Sequence, residues 1–483
     1  MSTTNVANIR FWPVMTAIFF GAFLSILGIS TINVALTIFM QDFHSQISTV
    51  QWTLTGFMLS LGIVAPLTGY LGDKFGYKTV YLYAMIGFVL FSLLCGFAWG
   101  IESLIVFRII QGLFTGLILP TTMTIIFQVI PKERQPFAVS IWGLSAMLAP
   151  AFGPTISGLL IQQLSWRWLF FINVPIGIIA ILFIAVMIPA YRIGSAKKLD
   201  ILGLLSVVIS SASLLVALSQ GRLWGWDSAR TLSLFIIGGI FLIGFIIWEL
   251  RAKEPLLNLR VFGNFRFSIT LVANTIITIS LYSGTLLVPL FLQNVQQMSP
   301  VKTGLILLPA SLIMALAMPI AGKIYPRVGA KWMTIVGLAL IIYGSFEMTH
   351  MKTDSTDFYI ILWMSVRNLG VSFAAAATST AGMEEIGPSM VGHASSVTNW
   401  VRNVGGSFAI ALFTSLLASH TITHIAELTK SGADNPKLIP LSSFTMSVND
   451  VFLVATYIAV AAIPFTLLIR RKGKAAKAAA VAA

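Results

Sequence analysis

The chain is dominated by long apolar runs that do not alternate in polarity. Fourteen can be marked, at about 12–38, 51–71, 79–99, 102–128, 137–161, 168–190, 201–220, 231–249, 268–292, 303–323, 332–350, 358–381, 397–419 and 450–469. Each is close to the roughly 20 residues that a helix needs to cross the hydrocarbon of a bilayer. In lipid every backbone N–H and C=O must be satisfied internally, so only helices or closed barrels can span. Barrel strands would be shorter and would alternate in hydrophobicity. The runs therefore predict an all-α polytopic membrane protein with 14 transmembrane helices. Only 10% of the 483 residues are charged, against roughly 25% in a soluble domain, so the chain cannot cover itself with polar surface in water.

An even number of spans puts both ends on one side. Of the 30 Lys and Arg residues, 20 fall in the segments that share a side with the termini and 7 in the opposite loops. That bias predicts cytoplasmic termini. It also explains the basic tail Arg470, Arg471, Lys472, Lys474 and Lys477 as an anchor near anionic lipid, not a nucleic-acid site. The run after Arg10 has no small-residue cleavage site and reads as a retained first span. The lone cysteine, Cys95, excludes an intramolecular disulfide and a Cys-based metal site. His420 and His424 could share a helix face, but they fall in a predicted loop from about 420 to 449, and no metal site is expected. No loop is long enough to fold alone. The spans hold no clustered nucleophile and base, and the sequence has no G-x-x-x-x-G-K-[ST] loop. An intramembrane enzyme and an ATP-driven pump are both disfavoured.

The chain echoes itself. After span 2 comes Gly69-Tyr-Leu-Gly-Asp73-Lys74-Phe-Gly76-Tyr-Lys78, and after span 10 comes Gly322-Lys-Ile-Tyr-Pro326-Arg327-Val-Gly329-Ala-Lys331. Spans 4 and 12 each carry a deep arginine, Arg108 and Arg367. Spans 9–14 then repeat spans 1–6, with spans 7 and 8 inserted. The expected units are a six-helix bundle over 1–190, the inserted pair with its linkers over 191–265, and a second six-helix bundle with the tail over 266–483. Two pseudo-symmetric bundles imply a cleft near the membrane midplane that opens alternately to either side.

These motifs resemble those of the fourteen-span drug:proton antiporters of the major facilitator superfamily. The Gly69–Lys78 segment is similar to the signature between spans 2 and 3, and Arg108-Ile-Ile-Gln111-Gly112 to the span-4 motif. Ala149-Pro150-Ala-Phe-Gly153-Pro154-Thr-Ile-Ser-Gly158 resembles the antiporter motif of span 5. Trp166–Gly177, Glu254-Pro255-Leu256-Leu257 and Arg402-Asn403-Val-Gly405-Gly406-Ser407 resemble segments typical of this branch. The resemblance implies a multidrug exporter driven by inward proton flow, in a cell membrane, acting as a monomer without a cofactor. A dedicated metabolite, peptide or siderophore exporter on the same scaffold is the alternative. One departure stands out. Where span 1 of this branch often carries an acid, this chain has Gly28, in Leu27-Gly28-Ile29-Ser30-Thr31-Ile32-Asn33. Export of neutral, zwitterionic or weakly acidic compounds is therefore expected over permanent cations.

Physical roles follow from residue type. Gly69 and Gly76 permit close approach and a tight turn. Asp73 can accept from N–H groups or a basic residue of a neighbouring helix, with Lys74 and Lys78 beside it, so the segment reads as a conformational latch or as a solvated turn. A mid-membrane arginine is costly unless paired or hydrated, so Arg108, Arg367 and Arg402 must face the interior or water, either in a functional role or as structural hubs that bond helix carbonyls, the hub reading leading for Arg367 and Arg402. Arg108, Gln111 and Glu347 are candidates for proton or substrate gating. Pro150, Gly153, Pro154 and Gly158 would shape a sealing helix. Asn33, Arg367, Asn368, Asn399, Trp400 and Arg402 are candidate cavity residues. The expected partners are amphipathic small molecules, protons and lipid.

Overall fold

The computed structural model describes residues 11–190, 200–252, 254–430 and 438–469. Among the described residues there is no strand. The apolar runs form α1 (Phe11–Ser30, continuing in Ile32–Asp42), α2 (Trp52–Val64 and Leu67–Phe75), α3 (Tyr77–Gly96), α4 (Ile101–Val129), α5 (Gln135–Gln163), α6 (Trp168–Phe171 and Asn173–Met187) and α7 (Ile201–Trp224). There follow α8 (Ala229–Arg251), α9 (Phe265–Asn294), α10 (Pro300–Val328), α11 (Ala330–Glu347), α12 (Asp357–Met383), α13 (Val391–Lys430) and α14 (Ile439–Ala461 and Ile463–Leu467). Twelve of the helices are long and apolar enough to cross a membrane, and the bent pair in α2 makes a thirteenth. Helix α5, of 29 residues, takes the place of the remaining expected span, so the count is compatible with fourteen.

Helix starts follow side-chain chemistry. Asp200, Ser228, Asn264, Ser299 and Thr356 each accept a hydrogen bond from the N–H three residues on, at the heads of α7, α8, α9, α10 and α12, satisfying a donor that the helix itself leaves free. The bend in α2 measures 58° and falls at Ala65-Pro66, where proline has no N–H to give the preceding turn.

Packing repeats between the halves. In the first, α3 packs on α4, α2 on α4, α1 on α5 and α6, and α3 on α6. In the second, α11 packs on α12, α10 on α12, α9 on α13 and α14, and α11 on α14. Shifting each label by eight converts one set into the other. The bundles meet through α5 on α10 and α2 on α13, a pair of contacts that the same shift exchanges. Helix α7 lies along α2 and α13, while α8 rests on α7, with only 17% of its spanning window buried.

Three local expectations need correction. The Gly69–Asp73 stretch is not loop but the second half of α2, and the turn comes at Gly76 (φ 86°). Helix α13 does not stop near 419 but runs on to Lys430, so His420 and His424 are helical. Helix α14 starts at Ile439, which places Asp450 inside it and not at its head. Each extension is more polar than the spans, which is why a hydropathy reading cuts it off.

Candidate functional site

The two bundles are joined where the repeated motifs lie, called the motif end below. Gly69 presents its backbone directly to α13: its N–H donates to Ser396 Oγ (3.1 Å), and a Cβ there would stand 2.9 Å from His393 Nδ1. His393 is buried. Its Nε2 lies 3.4 Å from Asp73 Oδ2, and its Nδ1 accepts the N–H of Asn258 (3.3 Å). An accepting Nδ1 leaves the ring proton on Nε2, facing the carboxylate. The Tyr77 hydroxyl donates to Asp73 Oδ1 (3.2 Å) and packs on Gly392, where a Cβ would stand 1.7 Å from it. Gln128 donates to the Pro388 carbonyl (2.9 Å) and Ser395 to the Pro120 carbonyl (2.8 Å). One histidine of α13 therefore touches α2 of the first bundle and the linker that follows the inserted pair.

The second motif copy closes the pseudo-equivalent seam. At Gly322 a Cβ would stand 2.2 Å from Ser140 Oγ and 2.6 Å from the Pro136 carbonyl, both on α5. Gly329 repeats the turn of Gly76, with φ 84°. Pro326 stands where Asp73 stands in the first copy, so this seam has close backbone contact without the carboxylate. Further along, α5 offers Gly143 to Met318 and Gly158 to Val301 of α10. The Gly153 carbonyl accepts from Ser157 Oγ (2.6 Å).

Arg108 and Arg367 are both fully buried. Arg108 donates to the carbonyls of Thr53 (3.1 Å) and Gly28 (3.0 Å) and to Gln111 Oε1 (2.8 Å), with its guanidinium 3.9 Å from the centre of the Phe57 ring. It thereby ties α1, α2 and α4 together. Arg367 donates to the Ser280 carbonyl, to Ser283 Oγ (3.0 Å) and to Ser345 Oγ (3.1 Å), tying α9, α11 and α12. Gly284 makes room for it, since a Cβ there would stand 2.4 Å from its Nη1. None of these partners is a carboxylate. The Gly28 carbonyl on α1 and the Ser280 carbonyl on α9 play the same part in the two bundles.

Between the bundles lies a small cavity of about 30 Å³, lined by α4, α5, α9, α12 and α13. Its apolar wall includes Met123, Trp142, Leu271 and Met383, and its polar groups include Asn274, Ser379, Asn399 and Arg402. Arg402 donates to Asn399 Oδ1 (2.5 Å) and lies 5.5 Å from the centre of the Trp142 ring. Among the described lining residues there is no acid. A second crevice, between α11 and α14, is lined by Leu338, Ile342, Tyr343 and Ile463 among others and holds no charged group. It lies within the second bundle, between helices that do not form the seam.

The expected residues separate into groups. Gly69, Asp73 and Gly76 lie at the seam. Lys74 instead reaches the Tyr70 hydroxyl (3.0 Å), and Lys78 caps α6 at the Ala185 carbonyl (2.7 Å). Arg108 and Gln111 are together, but Glu347 is apart from them, at the last residue of α11. Asn399 and Arg402 line the cavity. Arg367 and Asn368 do not, because Asn368 donates within its own bundle to the Ala310 carbonyl (3.3 Å). Trp400 turns the other way and donates to Ser211 of α7 (2.8 Å). The side chains of Asn33, Pro150 and Pro154 lie outside the described residues, as does the basic tail. His393, Asn274 and Ser379 escaped the sequence reading. The one available signal for His393 was its place in the small-residue run Gly392-His393-Ala394-Ser395-Ser396.

Two repeated bundles around a polar-lined cavity are the architecture the motifs implied. The profile of the Major Facilitator Superfamily matches residues 18–410. The chain belongs to this superfamily. It is 32% identical to the MFS-type transporter YhcA of Bacillus subtilis, over 95% of this chain and 93% of that one. It is 28% identical to the lincomycin resistance protein LmrB of Listeria monocytogenes, over 97% and 98%. The crystal structure of the human organic anion transporter MFSD10 shares the fold at a TM-score of 0.61 and 14% identity, over 93% of this chain and 99% of that one. This superfamily member is a multi-pass membrane transporter with antibiotic-resistance relatives, and it is not an enzyme.

Proposed function

We propose that the chain exports amphipathic small molecules across a cytoplasmic membrane by alternating access, in exchange for protons. The units expected from the repeat, 1–190 and 266–483 with 191–265 between them, are the moving parts and the insertion. Both termini and the motif end face the cytoplasm. One observation carries the reading: the cavity is walled by both bundles, and the Gly69–Ser396, Gln128–Pro388 and Asp73–His393 contacts join the bundles at its motif end. The structure then corresponds to the state closed toward the cytoplasm. Breaking that seam opens the cavity to cytoplasmic substrate, and Asp73 with His393 is the latch.

The cavity suits adaptable recognition. Methionine and aromatic walls repack around different apolar shapes, and Arg402 with Asn274, Ser379 and Asn399 supplies polar anchors. A lone fixed cation repels permanent cations and favours neutral, zwitterionic or weakly acidic compounds. Sealed inside-out vesicles test this directly. Addition of such a compound is expected to drive a pH change that Asp73→Asn reduces at least about tenfold, the scale of a coupling of roughly 1.4 kcal/mol. Vigorous export of quaternary ammonium dyes by the wild type would reject the substrate reading. An undiminished response in Asp73→Asn would reject the latch.

A further inference from the structure

The far end of α13, opposite the motifs, carries a group of side chains that lies outside both the cavity and the seam between the bundles. His420 and His424, one turn apart, face Asp450 of α14. His420 Nδ1 and His424 Nε2 each lie 2.7 Å from the same oxygen, Asp450 Oδ2. Behind them, His424 Nδ1 lies 3.1 Å from Glu427 Oε2. His420 and Asp450 are 36% and 37% exposed and His424 15%, so the group is anchored yet open to solvent.

We propose that His420, His424 and Asp450 bind a divalent transition-metal ion of the Zn²⁺ class, with Glu427 as the carboxylate that orients His424. Two imidazoles and a carboxylate are a donor set that suits Zn²⁺ and leaves a position for water. The i, i+4 spacing puts both rings on one helix face, and the three ligand atoms already lie within 4.8 Å of one another. Tetrahedral Zn²⁺ with bonds of about 2.0–2.1 Å needs them about 3.4 Å apart, a change that side-chain rotation supplies. Binding needs lone pairs on His420 Nδ1 and His424 Nε2. The His424 ring proton then sits on Nδ1, where Glu427 accepts it, the arrangement that fixes a ligating imidazole. The ion would tie α13 to α14 within the second bundle and leave the seam between bundles free.

The test uses the full chain without a histidine tag, purified in detergent and titrated with Zn²⁺ against a chromophoric chelator. A single Zn²⁺ per chain at micromolar affinity or tighter is expected. Asp450→Asn or His424→Ala should weaken it at least about 100-fold and Glu427→Gln about tenfold, the effect of losing a carboxylate behind a ligating histidine. Bound Co²⁺ should show the visible absorption of a four-coordinate site, and the His420→Ala/His424→Ala variant should lose it while keeping the wild-type melting temperature. Absence of binding at tens of micromolar Zn²⁺, or binding that survives the double variant, overturns the proposal and leaves these groups as plain hydrogen-bond partners.

Discussion

Arg108 shows how the surroundings of a costly buried charge make it tolerable. A cation in mid-membrane costs about 3 kcal/mol or more, and hydrogen bonds to a charged group return about 1.5–3 kcal/mol each. Three such bonds, to Gly28, Thr53 and Gln111, plus the Phe57 ring face, make the buried charge tolerable. Lysine cannot substitute, because its compact ammonium lacks the planar fork that reaches three directions. Both Arg108→Ala and Arg108→Lys are therefore expected to lower the melting temperature in detergent and to cut dye efflux at least about tenfold, since carbonyls on α1 and α2 lose their donor. Arg402 is different: it lines the cavity and bonds a neighbour on its own helix. Arg402→Gln should leave the melting temperature near wild type and shift the export profile toward cationic compounds, which a panel of charged and neutral dyes would read. The cost of a deep arginine was legible in the sequence; its partners were not, because Gly28 and Thr53 contribute only carbonyl oxygens, which every residue has.

Helices explain why some of the fold was readable and some was not. A run of some 20 apolar residues has one physical solution in lipid, so the spans and the inserted pair could be marked directly. The repeat was legible through glycines whose roles are geometric: Gly76 and Gly329 both adopt positive φ with extended ψ, at 86°/139° and 84°/162°. A Cβ in that region strains the backbone by about 1–3 kcal/mol. Gly76→Ala and Gly329→Ala should each destabilise the detergent-solubilised protein by about that amount, measured as a fall in melting temperature, whereas Gly239→Ala in lipid-facing α8, with open space at its Cβ, should not. What hydropathy could not show was the polar helix beyond an apolar run. The second half of α2 and the last turns of α13 are held by partners, Ser396 and Asp450, that are remote in sequence. Periodicity within one segment carries no information about such partners.

The two bundles touch through a seam whose side chains come from positions hundreds of residues apart, and the seam joins three units. Asn258, in the linker after the inserted pair, gives its N–H to the same histidine that faces Asp73. The linker after the insertion is thus fastened to the seam at His393. If the bundles rock about the cavity, holding the motif end shut must stop transport, and loosening it must expose the α13 face that now lies against α2. Gln128 and Pro388 meet across the seam at 2.9 Å, and the native Cys95 is buried, so a Cys95→Ser background accepts a clean pair of probes. Gln128→Cys with Pro388→Cys, bridged by a short bifunctional reagent, is expected to abolish efflux, with recovery on reduction of a cleavable bridge. In the same background Ser396→Cys should react slowly with a hydrophilic maleimide from the cytoplasmic side, and His393→Ala should speed that labelling at least about tenfold by populating the open state. Full transport by the bridged pair would show that the motif end does not open during the cycle, and the alternating-access reading would fall with it.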